Sequence, residues 1–267
     1  MGAPAYLPPY PYPPPDSRPL LDRLMDQMRA YDPRPWGARP VVLPCAAFVV
    51  LITLGQLVGH LVRPHTFAAG LALTIVLNVV LYGALIVVIR LAGGDLARRY
   101  AGWGWAFGFQ RPHWIDGAWL AAGFGLTLLG RLVVGVIANA ATDGRAVEQA
   151  QNLGVHTPSV AVYVVLGVIV VLIAPLIEET VFRGLLLRTF MHRLGFWPAA
   201  LLSSAVFAVF HTYEVSTLAG AITLAGIVFV LGLVNCLLVR WSGRLAAGMM
   251  VHALFNGLAV LVLVLSN

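Results

Sequence analysis

Lysine is missing from this sequence of 267 residues: all 17 basic residues are arginine. The bias reads as base composition and by itself excludes nothing about function. Acidic residues are few as well, 11 in all, and charged residues make up 10% of the chain, against about 25% in an ordinary soluble domain. That shortage excludes a water-facing globular domain and makes the bilayer the solvent to reason with. Cysteine occurs only at Cys45 and Cys236, both within apolar stretches, so a disulfide framework is excluded and two small buried thiols with structural roles are expected. No short apolar stretch follows a basic start near the beginning of the chain, so no cleavable leader is expected and the first span should act as its own insertion signal. No internal repeat of about 20–50 residues is visible.

What the chain has instead is hydrophobic sequence, 60% of it. Apolar runs at about 41–62, 67–89, 117–141, 160–177, 198–213, 217–239 and 245–265 are mostly near the roughly 20 residues that cross a hydrocarbon core as helix. The expectation is an all-α, polytopic transmembrane helix bundle of seven to eight spans. Three parts follow: a Pro/Tyr-rich tail with a short juxtamembrane helix (1–40), N-terminal transmembrane helices with an interfacial loop (41–157), and a second helical bundle (158–267).

Arginine placement orients these spans, because loops rich in positive charge stay on the cytoplasmic side. With the N-terminus inside, the arginines before span one, between spans two and three (Arg90, Arg98, Arg99, Arg111), after span four (Arg183, Arg188, Arg193) and between the last two spans (Arg240, Arg244) share one side. Only Arg63 and Arg145 fall opposite. The expected location is the cell membrane, multi-pass, with a cytoplasmic N-terminus. The net charge of +6 then serves topology and contact with anionic lipid, and no nucleic-acid partner is expected.

From Tyr6 to Pro15 proline alternates with tyrosine, a composition that favours a solvated, extended chain. Leu20, Leu21, Leu24, Met25 and Met28 recur at helical spacing, opposite Asp22, Arg23, Asp26 and Gln27. They predict a short helix that lies on the membrane surface or packs on the protein's own cytoplasmic loops. Trp103, Trp105, Arg111 and Trp114 suit a headgroup-level loop, and 142–158 forms the longest external connection.

An ionisable group within a span costs about 2.5–3.5 kcal/mol and so needs a reason. In the second half of the chain such groups gather in three places. Glu178-Glu179-Thr180-Val181-Phe182-Arg183 continues the fourth apolar run. Glu179 and Arg183 stand four apart, acid first, as an ion pair along one helix face, while Glu178 points about 100° away and stays free for acid–base work. Pro175 removes a backbone donor just before them and should kink the helix. The other two places are Phe207 with His211, and His252 with Asn256, each pair at i,i+4 on one face. At about 1.5 Å per residue, Glu178, His211 and His252 lie roughly 15, 20 and 12 Å in from the cytoplasmic ends, deep enough to meet.

The ordered set E-E-x-x-x-R, F-x-x-x-H and H-x-x-x-N on successive apolar helices resembles the CPBP family of CAAX-processing and bacteriocin-processing (Abi) membrane proteases. The resemblance covers roughly 158–265. It implies an intramembrane endopeptidase in which Glu178 and His211 activate a water, His252 and Asn256 stabilise the oxyanion, and Glu179, Arg183 and Phe207 support them. It leaves metal open: Glu178, His211 and His252 would supply the carboxylate and two imidazoles of a catalytic Zn2+ site. Expected partners are membrane lipid and a membrane-associated peptide or protein substrate. An arginine-only, proline-tailed chain fits a bacterial source, where prenylated substrates are not expected.

The blander readings are these. Glu179 with Arg183 is expected to be structural, Glu214 a span-end carboxylate facing water, and Arg131 a snorkelling or internally paired cation without chemistry. His60, His65, His113, His156 and His192 fall near span ends or in loops and are expected to be solvated or interfacial. Other protease chemistries fit poorly: H-E-x-x-H is absent, Asp95 has no second intramembrane aspartate, and Ser203 and Ser204 lack a G-x-S-x-G elbow. The runner-up is a non-proteolytic membrane transporter or a peptide-binding scaffold or immunity protein, disfavoured by the lack of a duplicated half.

Overall fold

A computed structural model describes residues 16–62, 66–142, 144–146, 160–212, 215 and 217–265. The described residues form helices joined by short connections and include no strand. α1 is Leu20–Tyr31, α2 Arg39–Val62, α3 Phe67–Arg99, α4 Trp103–Phe107 and α5 Ile115–Ala141. α6 runs over 160–191 as one path of alternating pitch, α7 is Phe196–Val209, α8 Leu218–Ser242 and α9 Ala246–Leu265.

Each predicted apolar run falls on one of α2, α3 and α5–α9. Six of these are long and apolar enough to cross a membrane; α7, with 14 residues, is shorter. An eighth span has no counterpart among the described residues. Large apolar side chains such as Leu61, Leu91, Leu132, Val136 and Ile137 stay more than 60% exposed, as expected where lipid is the solvent and the gain from burial is small. The interior is packed by α6, α7, α8 and α9, with Leu185, Leu187, Phe207, Leu231, Cys236 and Val251 fully or almost fully buried.

Ion pairs gather at the arginine-rich end. Arg244 pairs with Asp116 at 2.8 Å, joining the start of α9 to the start of α5, and Arg240 pairs with Asp22 at 2.9 Å, tying α8 to α1. Arg188, wholly buried, donates to the carbonyls of Trp105 and Gly243 at 2.9 and 3.1 Å, so α4, α6 and the α8–α9 turn close on one guanidinium. Gly243 holds φ +65 there, and a Cβ would meet Leu20 at 2.9 Å, so glycine is required both by conformation and by space.

Four expectations are sharpened or overturned. Of the two readings of α1, packing on the protein itself holds: Leu21, Leu24, Met25 and Met28 are buried against the bundle end. The fourth span does not end with the apolar run at 177 but continues to 191, because Glu179 and Arg183 pair along the helix and do not stop it. α7 stops at Val209 and not at 213; its last turn tightens, with His211 N bonded to Ala208 O at 3.0 Å. His192 is not solvated: it is 9% exposed and packed against Trp36, with ring centroids 4.9 Å apart and planes tilted by 40°. The tail to Pro15, His65, His156 and Glu214 lie outside the described residues, as does most of the 142–158 connection.

Candidate active site

The segment carrying both glutamates is unusual from its sequence upward. α6 is α-helical over Val160–Gly167, π-helical over Val168–Ile173, α-helical over Ala174–Glu179, π-helical over Thr180–Leu186 and α-helical again over Leu187–Met191. Single π-turns inserted in α-helices are frequent at functional sites. The first widening coincides with Pro175: Ala174 N–H bonds Ile169 O, five residues back, and residue 175 has no N–H to continue either register. The proline thus coincides with a change of pitch.

Downstream of it, Glu178 and Glu179 face different partners. Glu179 is 0% exposed, and its Oε1 accepts from Arg183 Nη1 at 3.0 Å, Asn235 Nδ2 at 2.9 Å and His252 Nδ1 at 3.0 Å. The expected pair with Arg183 is present, but Glu179 also holds an imidazole of the site. A carboxylate only accepts, so Nδ1 of His252 carries the proton and donates. That leaves His252 Nε2 on the far side of the ring, 3.8 Å from Glu178 Oε2.

His211 reaches the same oxygen from α7. Its Nδ1 lies 2.8 Å from Phe207 O, one of the carbonyls left over at the end of α7. Since a carbonyl only accepts, Nδ1 donates and Nε2, 3.7 Å from Glu178 Oε2, is the basic atom of the neutral ring. Glu178 is 7% exposed and its Oε2 has no hydrogen-bond partner among the described residues. Two imidazole nitrogens and one carboxylate oxygen therefore converge from three helices.

Phe207, fully buried, spaces the cluster: its ring lies 4.6 Å from that of His211 and 5.6 Å from that of His252, with the Arg183 guanidinium 4.4 Å from its centroid. Asn256 is placed differently. Its Nδ2 donates to Val170 O at 2.8 Å, so its hydrogen bond runs to the main chain of α6. Ser203 donates to Phe182 O at 2.8 Å and Ser204 lies against Cys236 at 3.8 Å, structural uses for both.

Asn235 was not singled out from the sequence, although a lone amide in the apolar run 217–239 is a signal of its own, since such groups bond between helices. Gly232 matters one turn before it: a Cβ there would lie 2.9 Å from Arg183 Nη2 and 3.2 Å from Ser204 Cα, so α7 and α8 meet only because that Cβ is missing. An apolar groove lined by Phe124, Val171, Leu254, Gly257 and Leu261 lies on the face of α9 turned away from His252 and offers no reacting group.

The donors match zinc in kind: one carboxylate and two Nε2 atoms, each ring held through Nδ1 by an acceptor. Their separations of 3.7 and 3.8 Å exceed the roughly 3.3 Å between ligands of a tetrahedral zinc with bonds of about 2.0 Å. Among the described residues no group of three such side chains is drawn together tightly enough to hold an ion.

No curated protein and no solved structure matches the chain. Residues 160–258 match the family model for Rce1-like, type II CAAX prenyl endopeptidases, a segment that contains every side chain of the cluster. Over that segment the chain is similar to the CAAX protease family that its motifs resemble, and its six helices long and apolar enough to cross a membrane make it an integral, multi-pass membrane protein.

Proposed function

We propose that this protein is an intramembrane endopeptidase that hydrolyses a peptide bond of a membrane-associated peptide or protein with a water activated by Glu178 and His211. The observation that carries the reading is the buried Glu178 Oε2, without a hydrogen-bond donor among the described residues and faced by two imidazole Nε2 atoms. A buried acceptor left unmet costs about 1–3 kcal/mol, and a water between the three groups meets it.

In the proposed reaction, Glu178 takes a proton from that water with His211 Nε2 as the second acceptor. The water oxygen bonds to the scissile carbonyl carbon, and the carbonyl electron pair moves onto its oxygen. His252, protonated, donates from Nε2 to that oxyanion, its ring fixed by Nδ1–H on Glu179. Collapse re-forms the carbonyl and breaks the C–N bond, and Glu178 returns its proton to the leaving amine. Asn256, given an oxyanion role by the family resemblance, has its amide on Val170 O. Were zinc bound by Glu178, His211 and His252, it would polarise the carbonyl and acidify the water.

The substrate lies with the bilayer, entering from the arginine-rich end, which we place on the cytoplasmic side. The test compares membrane-associated peptides in cells carrying wild type, Glu178→Gln or His211→Gln, followed by cleavage of a synthetic peptide spanning any differing junction. The expectation is loss of the same products in both variants and a fall of about 10²–10⁴-fold in turnover. Identical peptide sets in all three would end the protease reading in favour of a transporter or a peptide-binding scaffold.

A further inference from the structure

We infer that Asn256 is a positioning residue: its amide replaces the backbone N–H that Pro175 lacks, and so fixes the stretch of α6 that carries Glu178. The inference rests on the reading that Glu178 acts on water, and it concerns what holds Glu178 in place. In an α-helix the N–H of residue 175 would bond Val171 O; in the wider π register it would bond Val170 O. The register here is the wider one, shown by Ala174 N–H on Ile169 O, so the carbonyl that proline leaves without its donor is that of Val170. Asn256 Nδ2 stands 2.8 Å from that oxygen.

An unmet carbonyl would be most costly here, within an apolar span with little water to satisfy it. Its neighbours on the same helix are already ordered toward the cluster: Pro175 precedes Glu178 by three residues, less than one turn. His252 stands one turn before Asn256 on the same face of α9. One helix therefore carries both the imidazole that faces Glu178 Oε2 and the amide that holds the backbone beneath it. H-x-x-x-N thus couples a reacting group to the pitch of the partner helix, and the proline is the reason the amide is needed.

The test is a double-mutant cycle of Asn256→Leu and Pro175→Ala on the full-length protein in detergent micelles. It is read by the thermal unfolding midpoint and by the ¹⁵N imidazole shifts of His211 and His252. Alone, Asn256→Leu is expected to lower the midpoint and to move both imidazole signals, because Glu178 leaves its place. With Pro175→Ala restoring an N–H at 175, the same substitution should produce less than a third of either change. Equal changes in both backgrounds, or imidazole signals that do not move, overturn the inference. Should Pro175→Ala fail to fold, Asn256→Gln against Asn256→Met carries the test: the amide donor must preserve the imidazole signals and the thioether must not. No substrate enters these readouts, so an absence of proteolysis sinks the enzymatic reading alone, and an additive cycle sinks the pairing alone.

Discussion

Glu179 Oε1 accepts a hydrogen bond from His252 Nδ1 at 3.0 Å, joining α6 to α9 across 73 residues of sequence. The same oxygen carries Arg183 and Asn235, so one buried carboxylate neutralises a buried guanidinium and sets the tautomer of an imidazole. Glu179→Gln leaves Arg183 buried without its charge partner, a class of change worth about 3–5 kcal/mol. The expected result is a large drop in the unfolding midpoint in detergent, partly recovered by adding Arg183→Met. His252 should stay misoriented in the double variant, read as a shifted ¹⁵N imidazole signal. A midpoint within error of wild type for Glu179→Gln would show that this carboxylate does not carry the arginine.

The all-α bundle of apolar helices and the shared faces that bring Glu178, His211 and His252 together were legible because each rests on a local rule: about 20 apolar residues make a span, and i,i+4 spacing shares a face. What Glu179 does was half legible. Its pairing with Arg183 is intrahelical, whereas its contacts with His252 and Asn235 depend on how three helices pack, which no local period encodes. The register of α6 was missed for another reason: Pro175 announces a disturbance, but whether it becomes a kink or a change of pitch depends on whether a donor arrives from elsewhere, and that donor sits on α9. His192 was misjudged because its position after a span end suggests water, while α1 and the segment that follows it fold back and cover it.

Metal removal distinguishes the two forms of the proposed chemistry. In the proposed reaction Glu178 and His211 act on the water directly, and the 3.7 and 3.8 Å between Glu178 Oε2 and the two Nε2 atoms are longer than the roughly 3.3 Å between ligands of one tetrahedral ion. Activity on an identified peptide is therefore expected to survive prolonged treatment with a strong zinc chelator and dialysis. Loss of activity, restored by stoichiometric zinc, would assign Glu178, His211 and His252 as ligands instead.

Acid should loosen the arginine-rich end through His192. Burial, followed by the positive charge of Arg29, pushes its imidazole down to about 4 from the usual 6.5, with Asp32 opposing. The folded state thus binds the proton less readily than the unfolded chain. The contribution is complete above about pH 6.5 and is lost as pH falls from there toward 4. Asp32, drawn down to about 2 chiefly by Arg34, stays charged in the folded state across that window, but the unfolded chain's aspartate takes up protons below about pH 5, so Asp32 adds a further decline at the acid end that His192→Gln does not remove. The expected outcome is an unfolding midpoint that declines between pH 6.5 and 4 in wild type and declines less in His192→Gln. Parallel curves would place the acid sensitivity elsewhere.

Gly232→Ala tests whether the closeness of α7 and α8 matters to the site. The added methyl would fall 2.9 Å from Arg183 Nη2 and 3.2 Å from Ser204 Cα. The guanidinium is anchored to Glu179 through Nη1, and the second contact is main chain, so neither side yields cheaply. Overpacking of this kind costs about 1–3 kcal/mol. Because His211 follows two residues after the end of α7 and Arg183 lies over Phe207, any outward shift of α7 also draws His211 Nε2 away from Glu178. The variant should therefore lose stability and turnover together, with turnover falling further than the fraction unfolded explains. Gly248→Ala, whose Cβ meets Glu179 Oε2 at an ordinary 3.5 Å, serves as the control and should cost far less. If the two alanines behave alike, the tight approach at Gly232 does not set the position of His211.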